Sequence, residues 1–178
     1  MLRSFFDLEL ISTIMPKTYH KIFIQAVFAV KYRQGLIQPD WENSLYAVIG
    51  NSINRKGGKS FIVNGAEDHV HCFFAIPPSV CVSNIMKAAK GRSSKWLNDS
   101  KLLTHRFEWQ VAYGCFSYGQ SQKHQVYQYI LNQKKHHQKI SFRDEYIGLL
   151  QKFEIDYDEN DLFKDPIDIW DDIDQTQA

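Results

Sequence analysis

The chain has 178 residues, of which 44% are hydrophobic, and a formal net charge of +1, which suits one globular domain with a core of its own and leaves little room for a second. Its three cysteines, Cys72, Cys81 and Cys115, are an odd set with no paired metal spacing, so neither a disulfide framework nor a zinc ribbon is indicated and a reducing, cytoplasmic setting is expected. The small net charge hides an asymmetry. Between Ser79 and Arg143 eleven Lys/Arg face only Asp99 and Glu108, whereas from Asp144 onward twelve acids face only Lys152 and Lys164, the pattern expected when the middle of a chain meets a polyanion and its tail does not.

Residues 1–14 carry apolar side chains, but Asp7 and Glu9 interrupt them and no stretch is long enough to span a bilayer. They read as an N-terminal extension, with Met15-Pro16-Lys17 an alternative start, ahead of a domain at 15–163 and an acidic, extended or disordered tail at 164–178. Tyr19–Tyr32, aromatic and β-branched without internal Gly or Pro, reads as a long strand. After Pro39, the spacing of Trp41, Leu45, Val48, Ile49 and Ile53 predicts a helix capped by Asp40 and closed by Gly57-Gly58. Ser60–Ala66 and His69–Ile76 read as an antiparallel hairpin around Glu67-Asp68.

Beyond Pro77-Pro78, an apolar stripe from Val82 to Leu97 with Lys87, Lys90 and Lys95 largely off it predicts an amphipathic helix with a cationic side, loosened at Gly91. Phe107–Val111 and Gly114–Tyr118 read as a strand or strand pair, and Lys123 to about Lys139 as a helix. The order is that of an α+β, ferredoxin-like split βαβ fold: an antiparallel sheet with helices on one face, plus a C-terminal helix. The other sheet face is expected to stay open to a large flat substrate.

Within this frame His69 and His71 are two apart on a strand, so both project from one face. Two converging imidazoles are half of a metal site, although a lone His-x-His is more often two polar residues on a wet strand face. Tyr129 and Gln133 are four apart, one helical turn and about 6 Å of rise. The Gln133 amide oxygen offers a third ligand and Tyr129 a nucleophile beside it, against the plainer reading of a core tyrosine and a solvated glutamine. Tyr127 points away from that face and reads as structural. Together these parts suit phosphodiester chemistry: a cation polarising the phosphate and Tyr129 attacking phosphorus. Lys87, Lys90, Arg92 and Lys95 are candidate phosphate contacts. Phe107, Trp109, Tyr113 and Phe116 suit sheet packing better than base stacking, and Glu67 and Asp68 read as ordinary turn residues. His136 and His137, shortly after Tyr129, are candidates for DNA contact or proton transfer, and spacing does not separate those roles from simple surface exposure.

From Lys17-Thr18-Tyr19 through Phe28-Ala29-Val30-Lys31, Asp68-His69-Val70-His71, Ser93-Ser94-Lys95-Trp96-Leu97-Asn98, Phe107-Glu108-Trp109-Gln110, Tyr113-Gly114-Cys115-Phe116-Ser117 and Tyr129-Ile130-Leu131-Asn132-Gln133 to Phe153-Glu154-Ile155-Asp156-Tyr157, the sequence resembles the HUH single-tyrosine transposases of small bacterial insertion sequences, and is also similar to repeat-element-associated tyrosine transposases. The resemblance implies a homodimeric DNA strand transferase, a single-strand endonuclease that recognises hairpins near transposon ends and cuts and rejoins single-stranded DNA at those ends through a 5′-phosphotyrosine. It implies Tyr129 as nucleophile, a divalent cation, Mg²⁺ or Mn²⁺, held by His69, His71 and Gln133, although two imidazoles and an amide would by themselves favour Zn²⁺ or Mn²⁺, and active sites that subunits can share. The alternatives are a non-catalytic or domesticated DNA-hairpin-binding regulator and a replication or conjugation initiator nickase.

Overall fold

β1 (Ile22–Ala29) is buried along nearly its whole length, as a central strand covered on both faces must be, which explains an apolar run interrupted only by the buried Gln25. It is shorter than Tyr19–Tyr32 because Val30 leaves the ladder for a single bridge to Trp109 and the chain enters a 3₁₀ turn at Lys31–Arg33. Tyr32 and Arg33 have φ of 58° and 53° there, which no strand accommodates. The computed structural model describes residues 18–158 and Leu162; the extension at 1–14 and the tail at 164–178 lie outside them.

α1 (Pro39–Arg55) starts with Pro39 at its first turn and Gln38, not Asp40, at the N-cap. β2 (Lys59–Gly65) and β3 (His69–Ile76) form the expected antiparallel hairpin, and β3 also pairs with β1. α2 (Val82–Ser100) runs through Gly91 without a break. Phe107–Val111 is not a strand. Phe107 and Trp109 instead enter the core beneath α2, where the Trp109 indole N–H donates to Ser93 Oγ at 2.9 Å. β4 (Gly114–Tyr118) closes a four-stranded antiparallel sheet in the order β2-β3-β1-β4, the order of a split βαβ arrangement.

Two cores follow from strand alternation. Ile24, Ala26 and Phe28 of β1 and Val70, Cys72 and Phe74 of β3 pack against Leu45, Ile49 and Ile53 of α1 and Ile85, Met86 and Leu97 of α2. On the opposite face Phe23, Val27, Ala29, Phe73 and Phe116 meet α3 (Lys123–Leu131), through Val126 and Ile130, and α5 (Phe142–Lys152), through Phe142, Leu149 and Leu150. Between them lies the single turn α4 (Gln133–His136). The second face is therefore not open, contrary to expectation. The helix that closes it, α5, begins at the end of the basic middle and runs into the acid-rich part of the sequence. Ser141 caps it by accepting from the Asp144 backbone N–H at 3.1 Å. None of the helices among the described residues is long and apolar enough to cross a membrane.

Candidate active site

β3 begins at His69, directly after a turn that only glycine permits at Gly65, where a Cβ would lie 2.1 Å from the His69 carbonyl oxygen. The pleat sends His69, His71 and Phe73 to the face covered by α3–α5 and Val70, Cys72 and Phe74 to the other. Both histidines are 0% exposed, which disposes of the wet-face alternative.

Each imidazole is oriented through its Nδ1. Asp68 Oδ1 lies 2.6 Å from Nδ1 of His69, and because a carboxylate only accepts, the His69 proton sits on Nδ1 and Nε2 is left as a lone pair. Asp68 is in turn anchored by Arg33, 3.0 Å from Nε and 2.9 Å from Nη2. It thus acts as the outer partner of His69, not as an ordinary turn residue. Burial holds His69 down at about 4 even though Asp68 favours its charge, so the ring is neutral near pH 7. Nδ1 of His71 lies 2.9 Å from the Gln25 amide nitrogen, and the amide oxygen accepts from the Tyr118 hydroxyl at 2.7 Å. Turned so that its oxygen accepts from Nδ1–H, that amide would likewise leave Nε2 of His71 bare.

Tyr129 lies in the last turn of α3, and Gln133 opens α4 after a break at Asn132. The sheet holds this break in place: Asn64 of β2, cross-strand neighbour of His71, donates from Nδ2 to the carbonyls of Ile130 and Leu131 at 2.8 and 3.1 Å. Gln133, buried at 0% exposure, places Oε1 3.4 Å from Nε2 of His69. Its orientation is set by Glu145, which accepts from Gln133 Nε2 at 2.8 Å. The Tyr129 ring stands edge-on to His71 at 5.9 Å. The structure therefore brings His69, His71, Gln133 and Tyr129 together within one chain. Tyr127 is half-buried outside this group.

Glu145, which sequence reasoning passed over, and His137, which it left without a settled role, complete the cluster. Tyr129 donates its hydroxyl to Glu145 Oε1. Glu145 Oε2 is 3.3 Å from Nε2 of His71, 3.2 Å from Nε2 of His137 and 3.8 Å from Nε2 of His69. The signal that could have found Glu145 was Ser141-x-x-Asp144, an N-cap pattern announcing a helix. Burial pushes the Glu145 carboxyl up, but His71, His137 and His69 together outweigh it and hold it well below its ordinary value. Burial, then the Glu145 charge, pushes Tyr129 up, so the nucleophile candidate rests as a hydroxyl. Burial lowers His137, and Glu145 more than compensates, raising it.

The residues fit a divalent cation. His71 Nε2 and Glu145 Oε2 are buried without a hydrogen bond among the described residues, and the His69 lone pair faces only acceptors, Gln133 Oε1 and Glu145 Oε2. One ligand atom each from His69, His71, His137 and Glu145 lies within 4.8 Å of all the others. Imidazole and amide donors with one carboxylate suit Mn²⁺ or Zn²⁺ better than Mg²⁺.

The basic candidates separate into two kinds. Lys90 donates to the carbonyls of Gln110, Val111 and Ala112, and burial lowers it to about 8, so it clamps a loop. Lys95 pairs with Asp99 at 2.8 Å on the same helix. Lys87 and Arg92 are exposed and, with Lys56, line an open groove of about 710 Å³. Phe107, Trp109 and Phe116 are buried in the cores and unavailable for stacking.

The family model described as IS200-like transposases matches residues 18–133. Two solved structures share the fold. One is a candidate transposase of Deinococcus radiodurans R1, 21% identical with a TM-score of 0.53, spanning 67% of this chain and 98% of its own. The other is a REP-associated tyrosine transposase bound to a REP hairpin, 13% identical with a TM-score of 0.53, spanning 71% of this chain and 74% of its own. No curated protein matches the chain.

Proposed function

The chain belongs to the IS200-like transposase family, and on that premise we propose that it cleaves and rejoins single-stranded DNA at insertion-sequence ends through a covalent link to Tyr129. The observation that carries this reading is the meeting of Tyr129 with a buried, acceptor-rich His69–His71–Gln133 cluster inside a single chain. Tyr129 oxygen forms the new bond to phosphorus and its proton passes to an adjacent acceptor. The bond from phosphorus to the 3′ oxygen breaks, and that oxygen leaves as a hydroxyl after taking up a proton, returned by the acceptor or supplied by water. The product is a 5′-phosphotyrosine, which another 3′ hydroxyl can reverse because a phenol, with pKa about 10, is the better leaving group.

A divalent cation, Mg²⁺ or Mn²⁺, held by His69, His71 and Gln133 would polarise the phosphate and stabilise charge on the leaving oxygen. Asp68 and Gln25 fix the two rings, and Asn64 fixes the turn carrying Tyr129 and Gln133. The DNA partner is a hairpin, in line with the ligand of the REP-associated neighbour, docked against Lys87 and Arg92. The enzyme works in the cytoplasm as a homodimer. Because Tyr129 and His71 already meet in one chain, exchange of tyrosine helices between subunits would be an alternative route to the same site.

The test is incubation with single-stranded oligonucleotides carrying the element ends and Mn²⁺, followed by a denaturing gel. A protein–DNA adduct is expected from the wild type and none from Tyr129→Phe or in EDTA. An adduct that persists in Tyr129→Phe overturns the nucleophile, and one indifferent to EDTA overturns the metal. Hairpin binding without cleavage on the correct ends would instead indicate a non-catalytic regulator.

A further inference from the structure

Glu145 is the anionic group of the site, yet it comes from α5, beyond the family-matched residues 18–133. Its side chain is 3% exposed, and its two oxygens have separate surroundings. Oε1 accepts from Tyr129 and from Gln133. Oε2 makes no hydrogen bond of good geometry among the described residues and faces three imidazole nitrogens, His137 at 3.2 Å, His71 at 3.3 Å and His69 at 3.8 Å, which together favour its ionised form. Nitrogen and oxygen ligands about 2.1 Å from one ion stand about 3.4 Å apart on a tetrahedron and about 3.0 Å apart as neighbours on an octahedron. The separations of 3.2 and 3.3 Å from His137 and His71 are therefore those of neighbouring ligands around a shared cation, and His69 at 3.8 Å would have to close in slightly. They are long for charge-assisted hydrogen bonds, which run near 2.8 Å.

α5 is fixed firmly enough to hold such a ligand. Ser141 caps its first turn, Phe142 stacks on the His69 ring at 4.0 Å, and Tyr146 packs so tightly over Gly114 that a Cβ there would lie 2.9 Å from it. Leu149 and Leu150 anchor its far end in the core.

The geometry points to Glu145 as a carboxylate ligand of the same cation, bonded through Oε2 while Oε1 keeps the Tyr129 hydroxyl beside the metal. This rests on the reading of Tyr129 and the histidine pair as the active site. It deepens that reading in one respect: His69, His71 and Gln133 are a wholly neutral ligand set, and Glu145 supplies the negative charge that a buried divalent cation lacks among them. It also couples metal loading to the position of the nucleophile through one side chain. The rival arrangement is a stopper, a carboxylate occupying the cation's place that the metal must displace. The two make opposite predictions.

The test uses the full chain, stripped with EDTA and without DNA, titrated with Mn²⁺ by calorimetry and by electron paramagnetic resonance. Wild type should bind one Mn²⁺ and His69→Ala should abolish binding. Glu145→Gln, its fold checked by circular dichroism, should weaken binding by at least the roughly 100-fold at the upper end of what loss of an outer partner costs. Unchanged or tighter binding in folded Glu145→Gln overturns the inference in favour of a stopper. Should that variant not fold, a crystal of the wild type with Mn²⁺ decides: an anomalous peak bonded to Oε2 supports the inference, and one bonded to His69 and His71 with Glu145 outside bonding distance overturns it. Failure of the parent reading looks different. Glu145-dependent Mn²⁺ binding with no DNA adduct would sink the transposase reaction and leave the metal centre standing, whereas a wild type that binds no Mn²⁺ would sink both the centre and Glu145's place in it.

Discussion

Asp68→Asn tests the orientation of His69 with little change of shape. In the wild type the Asp68 carboxylate accepts from His69 Nδ1 at 2.6 Å and from the Arg33 guanidinium at 2.9 and 3.0 Å, with Asp68 7% and Arg33 6% exposed. Asparagine keeps one acceptor for Nδ1–H, but it removes the charge and turns N–H groups toward the Arg33 donors. Breaking a buried pair by neutralising one member costs about 3–5 kcal/mol; Arg33 keeps other contacts, among them the Phe142 ring at 5.2 Å, so no more than the lower end, about 3 kcal/mol, is expected. Losing the carboxylate behind a ligating imidazole should also weaken metal binding by roughly 10–100-fold, or about 1.4–2.8 kcal/mol. Urea unfolding in EDTA measures the first quantity and Mn²⁺ calorimetry the second. If the variant stays within about 0.5 kcal/mol of wild type, the range typical of an inert surface change, and its Mn²⁺ affinity is unchanged, the Arg33–Asp68–His69 chain does not support the site.

Asn64→Ala removes both hydrogen bonds to the Ile130 and Leu131 carbonyls, so unfolding should become easier by about 1–3 kcal/mol and adduct formation should fall more than Mn²⁺ affinity; an unimpaired adduct yield would show that Tyr129 is positioned without it. Lys87→Ala and Arg92→Ala should weaken hairpin binding and each lower the salt slope by about one unit with no loss of stability, whereas Lys90→Met should loosen the loop at 110–112 and shift the melting temperature. Equal stability losses in all three would erase the distinction. Because burial depresses His69 from 6.5 to about 4, the stability it contributes is present above pH 6.5 and is lost as pH falls from there toward 4, up to roughly 3 kcal/mol. His137, raised by Glu145, runs the other way and offsets part of it. Melting in EDTA should therefore occur at lower temperature at pH 5 than at pH 7, and the reverse order would contradict a buried neutral His69.

Local pattern alone was enough for the β2–β3 hairpin, for α1 and α2, and for the common face of His69 and His71, because strand alternation and helical spacing are short-range rules carried by neighbouring residues. Tyr129 and Gln133 could be placed near each other by the same logic, although the helix between them is broken at Asn132 by carbonyls bound to Asn64, a strand residue more than sixty positions earlier. Tertiary structure alone decided that the second sheet face is covered, that Asp68 and Gln25 orient the imidazoles, and that Lys90 is a clamp. Glu145 is the clearest case. Along the chain it is one acid in an acidic stretch; only the packing of Phe142, Leu149 and Leu150 turns it inward, where burial among imidazoles gives its carboxylate a chemistry that no local pattern carries.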